Sequence, residues 1–146
     1  FSVPPVYLEL SPAGACNHRC TFCGPEMLGY KTNYLKEPML AERFAEMKEL
    51  REKDPDGLGW KSIQFAGEGE PMLHPDIVEL VNMAHGSGID VSFTTNGTRM
   101  TKKFVDGCLY NVKWVKVVSL AVEFKCWIYK LCRAIAPSLL IRSVGI

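Results

Sequence analysis

The sequence predicts an α/β protein built on a parallel sheet or barrel. Strand-like and helix-like stretches alternate along the chain, the helical stretches carry apolar residues at helical spacing, and turn-forming residues punctuate the boundaries. Val6 to Leu10 reads as the first strand, closed by Ser11-Pro12. Residues 13–38, rich in Gly, Cys, Asn, Pro and Tyr without a regular period, read as one long loop, and loops of that length are usually functional. A helix follows from Leu40 to Glu52, with Leu40, Phe44 and Met47 on one face, and Asp54-Pro55-Asp56-Gly57 ends it.

Ser62 to Ala66 is predicted as the second strand. A second helix begins near Pro75 with Asp76 in its first turn; its apolar face is Ile77, Leu80, Val81 and Ala84, and Gly86 and Gly88 stop it. Val91 to Thr94 forms the third strand, cut off by Asn96-Gly97. Thr101 to Leu109 is the third helix, and the β-branched run Trp114 to Leu120 the fourth strand. In β-loop-α-β-α-β-α-β order, chemistry gathers at the C-terminal ends of the strands.

Composition narrows the class. A chain of 146 residues with 47% hydrophobic and 23% charged residues has room for one domain with a real core. It has no charged-then-apolar leader and no apolar run of bilayer length, so a cytoplasmic location without membrane attachment is expected. Phe1 in place of Met implies a chain that begins inside a longer reading frame. The net charge of +1 is unevenly distributed: residues 1–106 hold 11 Lys+Arg against 15 Asp+Glu, whereas residues 107–146 hold 6 against Glu123 alone. The basic residues of the tail lie among Trp, Leu, Ile and Val rather than in a run, so nucleic acid is not expected as a partner.

Three of the six cysteines fall within eight residues, Cys16-Asn17-His18-Arg19-Cys20-Thr21-Phe22-Cys23. A secreted disulfide framework would spread its cysteines; CxxxCxxC instead lets three thiolates converge on one inorganic centre from a single loop. Four thiolates complete a cubane iron–sulfur cluster, so three leave one iron open for chemistry. Two alternatives remain: a structural zinc with His18 or a distant side chain as fourth ligand, and three core cysteines. A structural zinc site more often has a second knuckle, and the polar residues between the cysteines suit a core poorly.

These residues resemble the cluster loop of the radical S-adenosylmethionine (SAM) superfamily. Three further segments resemble its motifs in order: Phe65-Ala66-Gly67-Glu68-Gly69-Glu70-Pro71 its second-strand GGEP segment, Thr94-Thr95-Asn96-Gly97 a third-strand segment, and Val117-Val118-Ser119-Leu120 its fourth-strand ending. The resemblance implies a partial (βα) barrel, here truncated after about four strands, and a [4Fe-4S] cluster on Cys16, Cys20 and Cys23. It implies reductive cleavage of SAM to a 5′-deoxyadenosyl radical, which abstracts hydrogen from a peptide or small-molecule substrate, and an electron donor such as flavodoxin or ferredoxin. SAM would be held by Gly67, Gly69 and Glu70 (whose carboxylate would receive the SAM ammonium), by Thr95 and Asn96, by Ser119, and by Phe22 near the adenine. The Gly67–Pro71 and Thr94–Gly97 segments resemble those of the branch containing SPASM-domain peptide modifiers and the enzyme that starts molybdopterin synthesis.

Tyr30, Lys31 and Tyr34 are placed in the cluster loop facing substrate, His74 at the start of the second helix, and His85 in solvent at its end. Residues 1–120 are read as the N-terminal portion of a radical SAM core and residues 121–146 as a divergent tail, the product of truncation or a frame error near Val118. In that tail Phe124, Ile128, Leu131 and Ile135 share a helical face before Pro137, and Cys126 and Cys132 are incidental. The alternative functions are a zinc-stabilised binding module and an inactive gene fragment.

Overall fold

A computed structural model describes residues 6–20, 23–24, 32–54, 57, 59–118 and 140–144. Its sheet contains β1 (Tyr7–Leu10), β2 (Ser62–Phe65), β3 (Asp90–Thr95), β4 (Val112–Val118) and β5 (Leu140–Val144), all parallel and in sequential order. Helices α1 (Glu37–Glu52), α2 (Ile77–Gly86) and α3 (Lys102–Cys108) fall in the first three strand-to-strand connections. No helix among the described residues is long and apolar enough to cross a membrane.

Alternation along each strand sends one set of side chains toward the helices. Ile63, Phe65, Val91, Phe93, Val115 and Val117 form that buried face. Against it lie Leu40, Phe44 and Met47 of α1, Ile77, Leu80, Val81 and Ala84 of α2, and Phe104, Val105 and Cys108 of α3. Phe93 is central: its ring stacks on Phe65 at 5.1 Å and meets Phe104 edge-on at 5.3 Å. The other face is polar. Tyr7 donates its hydroxyl proton to Gln64 Oε1, and Gln64 Nε2 donates to Thr94 Oγ1 at 2.5 Å, linking three strands.

The elements fall where the hydrophobic periods place them, with shifts at their ends. Helix α1 starts at Glu37 because Pro38 suits a first turn, where a missing N–H costs nothing. A 3-10 turn, Pro71–Leu73, precedes α2; its N-cap, Asp76, makes no side-chain cap, and His74 Nδ1 instead accepts the Asp76 N–H at 3.1 Å. His85 is exposed near the C-terminus of α2, as expected. Strand β4 begins at Val112, after a second 3-10 turn over Leu109–Asn111.

A fifth strand lies beyond the four that were read. Leu140–Val144, in the tail read as divergent, pairs with Trp114–Val118 of β4. The predicted helical face Phe124, Ile128, Leu131 and Ile135, with Cys126 and Cys132, lies outside the described residues.

Candidate active site

Because every strand runs the same way, Leu10, Phe65, Thr95 and Val118 end on one edge. The first residues of the long segment after β1, Ser11 to Asn17, lie against that edge. The segment's two ends are pinned together, with Gly14 N–H donating to Asn33 O at 2.8 Å, Leu35 N–H to Pro12 O at 2.9 Å, and Ala13 bridged to Tyr34. Tyr34 is exposed and meets the His74 ring edge-on at 5.7 Å. His74 is buried: with Nδ1 accepting, its proton sits on Nε2 and faces Leu35 O at 2.7 Å.

The turn after β2 fits against this segment because it carries glycine. Gly67 has φ +99°, a backbone region that side chains rarely enter, and a Cβ there would overlap Ser11. A Cβ on Gly69 would overlap the Ala13 carbonyl oxygen and lie 2.5 Å from that of Ala15. That close approach lets the Glu70 N–H reach Ala15 O at 2.8 Å.

Glu70 turns inward and is 2% exposed. Its Oε1 accepts from the Thr95 hydroxyl at 2.6 Å and the Met72 N–H at 3.1 Å; its Oε2 accepts from the Asn96 N–H at 2.7 Å. Burial pushes this carboxyl above its ordinary value, against the opposing pull of those three hydrogen bonds and of the His18 charge. Thr95 Oγ1 also accepts from the Gly97 N–H at 2.9 Å. The carboxylate expected to receive an ammonium group is thus already engaged by three protein donors, and it ties the turn after β2 to the end of β3.

Asn96 reaches the cysteine loop. Its Nδ2 donates to Asn17 Oδ1 at 2.9 Å, while its Oδ1 accepts from the Thr98 N–H at 3.0 Å and the Thr98 hydroxyl at 2.7 Å. Cys16, Cys20 and Cys23 are half-buried, and none forms a disulfide. The His18 N–H points at Cys16 Sγ at 3.4 Å, and the Cys23 N–H donates to Cys20 O at 2.9 Å. Of the expected SAM-site residues, Gly67, Gly69, Glu70, Thr95 and Asn96 converge on this edge, whereas Phe22 and Ser119 lie outside the described residues, as do Tyr30 and Lys31. Asn17, Thr98 and Ser11 belong to the site without having been singled out. Only Asn96-Gly97-Thr98 carried a readable signal, since an Asn side chain commonly accepts the N–H two residues on.

A sequence model described as the radical SAM superfamily matches residues 10–123. The chain belongs to the radical SAM superfamily. The GTP 3',8-cyclase of Chlorobaculum tepidum is 36% identical over 99 residues, covering 66% of this chain and 27% of that protein. A GTP 3',8-cyclase of Haemophilus influenzae is 37% identical over 108 residues, covering 68% and 28%. The chain therefore spans about a quarter of the length of these curated relatives. Among solved structures, BtrN in complex with AdoMet and 2-DOIA superposes with a TM-score of 0.72 at 18% identity, over 94% of this chain and 56% of that one. Streptococcus suis SuiB bound to S-adenosylmethionine superposes at 0.59 with 25% identity, over 80% and 25%. The fold is thus the partial barrel of radical SAM type, and the cofactors of this family are SAM and a [4Fe-4S] cluster.

The donor set suits that cluster chemically. Three thiols from one short loop stand at a half-exposed edge, and a backbone N–H points at one of the sulfurs. In the arrangement described, the sulfurs do not yet converge: among the described residues no three His, Cys, Asp or Glu side chains are placed to hold a metal ion. The cysteine side chains would have to come together to enclose a cluster.

Proposed function

We propose that this chain is the cluster- and SAM-binding part of a radical SAM enzyme, with Cys16, Cys20 and Cys23 as the thiolate ligands. One observation carries the reading: the cysteine loop is hydrogen-bonded directly to the ends of β2 and β3, through Glu70 N–H to Ala15 O at 2.8 Å and Asn96 Nδ2 to Asn17 Oδ1 at 2.9 Å. The thiols and the Gly67–Pro71 turn therefore share one edge. When bound, the cluster and SAM supply a one-electron reductive cleavage that releases methionine and a 5′-deoxyadenosyl radical. The chain's own residues position and shield that chemistry. Gly67 and Gly69 let the backbone approach a ligand closely, and we assign the SAM ammonium to the backbone of this turn. Glu70 and Thr95 shape the turn from below, while Phe22 and Ser119 are assigned to the adenosyl part.

The electron comes from a small reductant of the flavodoxin or ferredoxin kind. Relatives named for cyclising GTP make GTP the first substrate to present. Anaerobic reconstitution, dithionite and SAM, with chromatography of the products, test the proposal. Formation of 5′-deoxyadenosine that is lost in Cys20→Ala supports it. A chain that retains tightly bound zinc, takes up no iron and yields no 5′-deoxyadenosine refutes it.

A further inference from the structure

We propose that Asn17 is a positioning residue, which holds the cysteine loop over the end of β3 through a closed ring of three side chains. Asn17 Nδ2 donates to Thr98 Oγ1 at 2.7 Å, the Thr98 hydroxyl donates to Asn96 Oδ1 at 2.7 Å, and Asn96 Nδ2 returns the bond to Asn17 Oδ1 at 2.9 Å. Each side chain gives one proton and accepts one, all in the same sense, so every bond polarises the next. The ring spans about eighty residues of sequence, from Asn17 beside Cys16 to Asn96 and Thr98. It is anchored beneath: the Asn96 N–H sits on the buried Glu70 carboxylate, and the Glu70 N–H on Ala15 O.

The chemistry calls for asparagine at position 17. An aspartate there could still accept from Asn96 but could not donate to Thr98. The Thr98 hydroxyl would then have to choose between that new carboxylate and Asn96, and the ring would open. Alanine removes both links. Neither Asn17 nor Thr98 carries a thiol or belongs to the turn assigned to SAM, so the ring acts through the loop it holds.

The ring does not depend on a bound cofactor; its effect on SAM rests on the function proposed above. Two readouts separate the two claims. In the metal-free chain, trypsin cleavage after the exposed Arg19 reports loop opening. One net hydrogen bond corresponds to roughly a two- to tenfold change in an opening equilibrium. Asn17→Ala, Asn17→Asp and Thr98→Val should each speed that cleavage by about this factor, with cleavage after Lys61, beside β2, unchanged. The Asn17→Ala/Thr98→Val double variant should be no faster than the faster single variant. Unchanged cleavage at Arg19, or multiplicative effects in the double variant, overturns the ring.

In the reconstituted chain, the same variants should keep the wild-type iron content and bind SAM about two- to tenfold more weakly. Unchanged SAM affinity in a variant whose loop opens faster overturns the positioning role. Should the wild-type chain take up no iron, the proposed function fails while the cleavage experiment still decides the ring.

Discussion

Replacing Glu70 by glutamine tests the polar centre of the site. The carboxylate accepts from Thr95 Oγ1, Met72 N and Asn96 N at 2.6, 3.1 and 2.7 Å, at a position 2% exposed. An amide offers one oxygen and one NH2, so at least one buried donor is left facing another donor. An unsatisfied buried donor costs about 1–3 kcal/mol. For a chain of this size the change should lower Tm by roughly 3–10 °C.

The pH dependence gives a sharper signature. Burial raises the Glu70 carboxyl above its unfolded value, so between those two values the folded state binds more protons than the unfolded state. The contribution of Glu70 to stability is therefore fullest below the unfolded value and is lost as pH rises through the folded one. The glutamine side chain does not titrate, so the deficit of Glu70→Gln should shrink as pH rises through that window. Urea unfolding of both metal-free proteins at a series of pH values measures it. A deficit that grows with pH, or a variant as stable as wild type throughout, would refute the reasoning.

Gly69→Ala should destabilise the chain by about 1–3 kcal/mol, because the new Cβ meets the carbonyl oxygens of Ala13 and Ala15, which belong to the backbone and cannot rotate away. Gly86→Ala, at the end of α2 with nothing near its Cβ, should instead stabilise by about 0.4–1 kcal/mol; equal Tm shifts for the two would count against the packing. Cys108, 1% exposed, has its thiol pushed up to about 12 by burial and then by Glu79. It should resist a disulfide reagent at pH 8 until urea unfolds the chain, and rapid labelling of the native protein would contradict its place in the core. Cys20→Ala should keep the far-ultraviolet circular dichroism of the α/β core, since Cys20 lies outside every helix and strand.

The periodic parts of the fold were legible because burial imposes its own spacing. Leu40, Phe44 and Met47 predicted the inner face of α1, and Ile77, Leu80, Val81 and Ala84 that of α2. Strand β5 was not legible, since Leu140–Val144 is a short run in the tail read as divergent, and only pairing with Trp114–Val118 defines it. In the site, residue types announced the thiols and the glycine turn. The direction of Glu70 could not be read: a carboxylate after a strand looks the same in sequence whether it faces solvent or the Thr95 hydroxyl. The Asn17–Thr98–Asn96 ring joins residues about eighty positions apart, which no local pattern reports.

The central claim is that Cys16, Cys20 and Cys23 hold a cluster whose remaining iron binds SAM. The most direct measurement is electron–nuclear double resonance on the anaerobically reconstituted, reduced chain, with SAM labelled by nitrogen-15 at its amino group and oxygen-17 at its carboxylate. Hyperfine coupling of both labels to the cluster spin, absent in Cys20→Ala, is the predicted result. A reduced cluster whose spectrum ignores labelled SAM, or a chain that binds zinc in place of iron, would contradict the account.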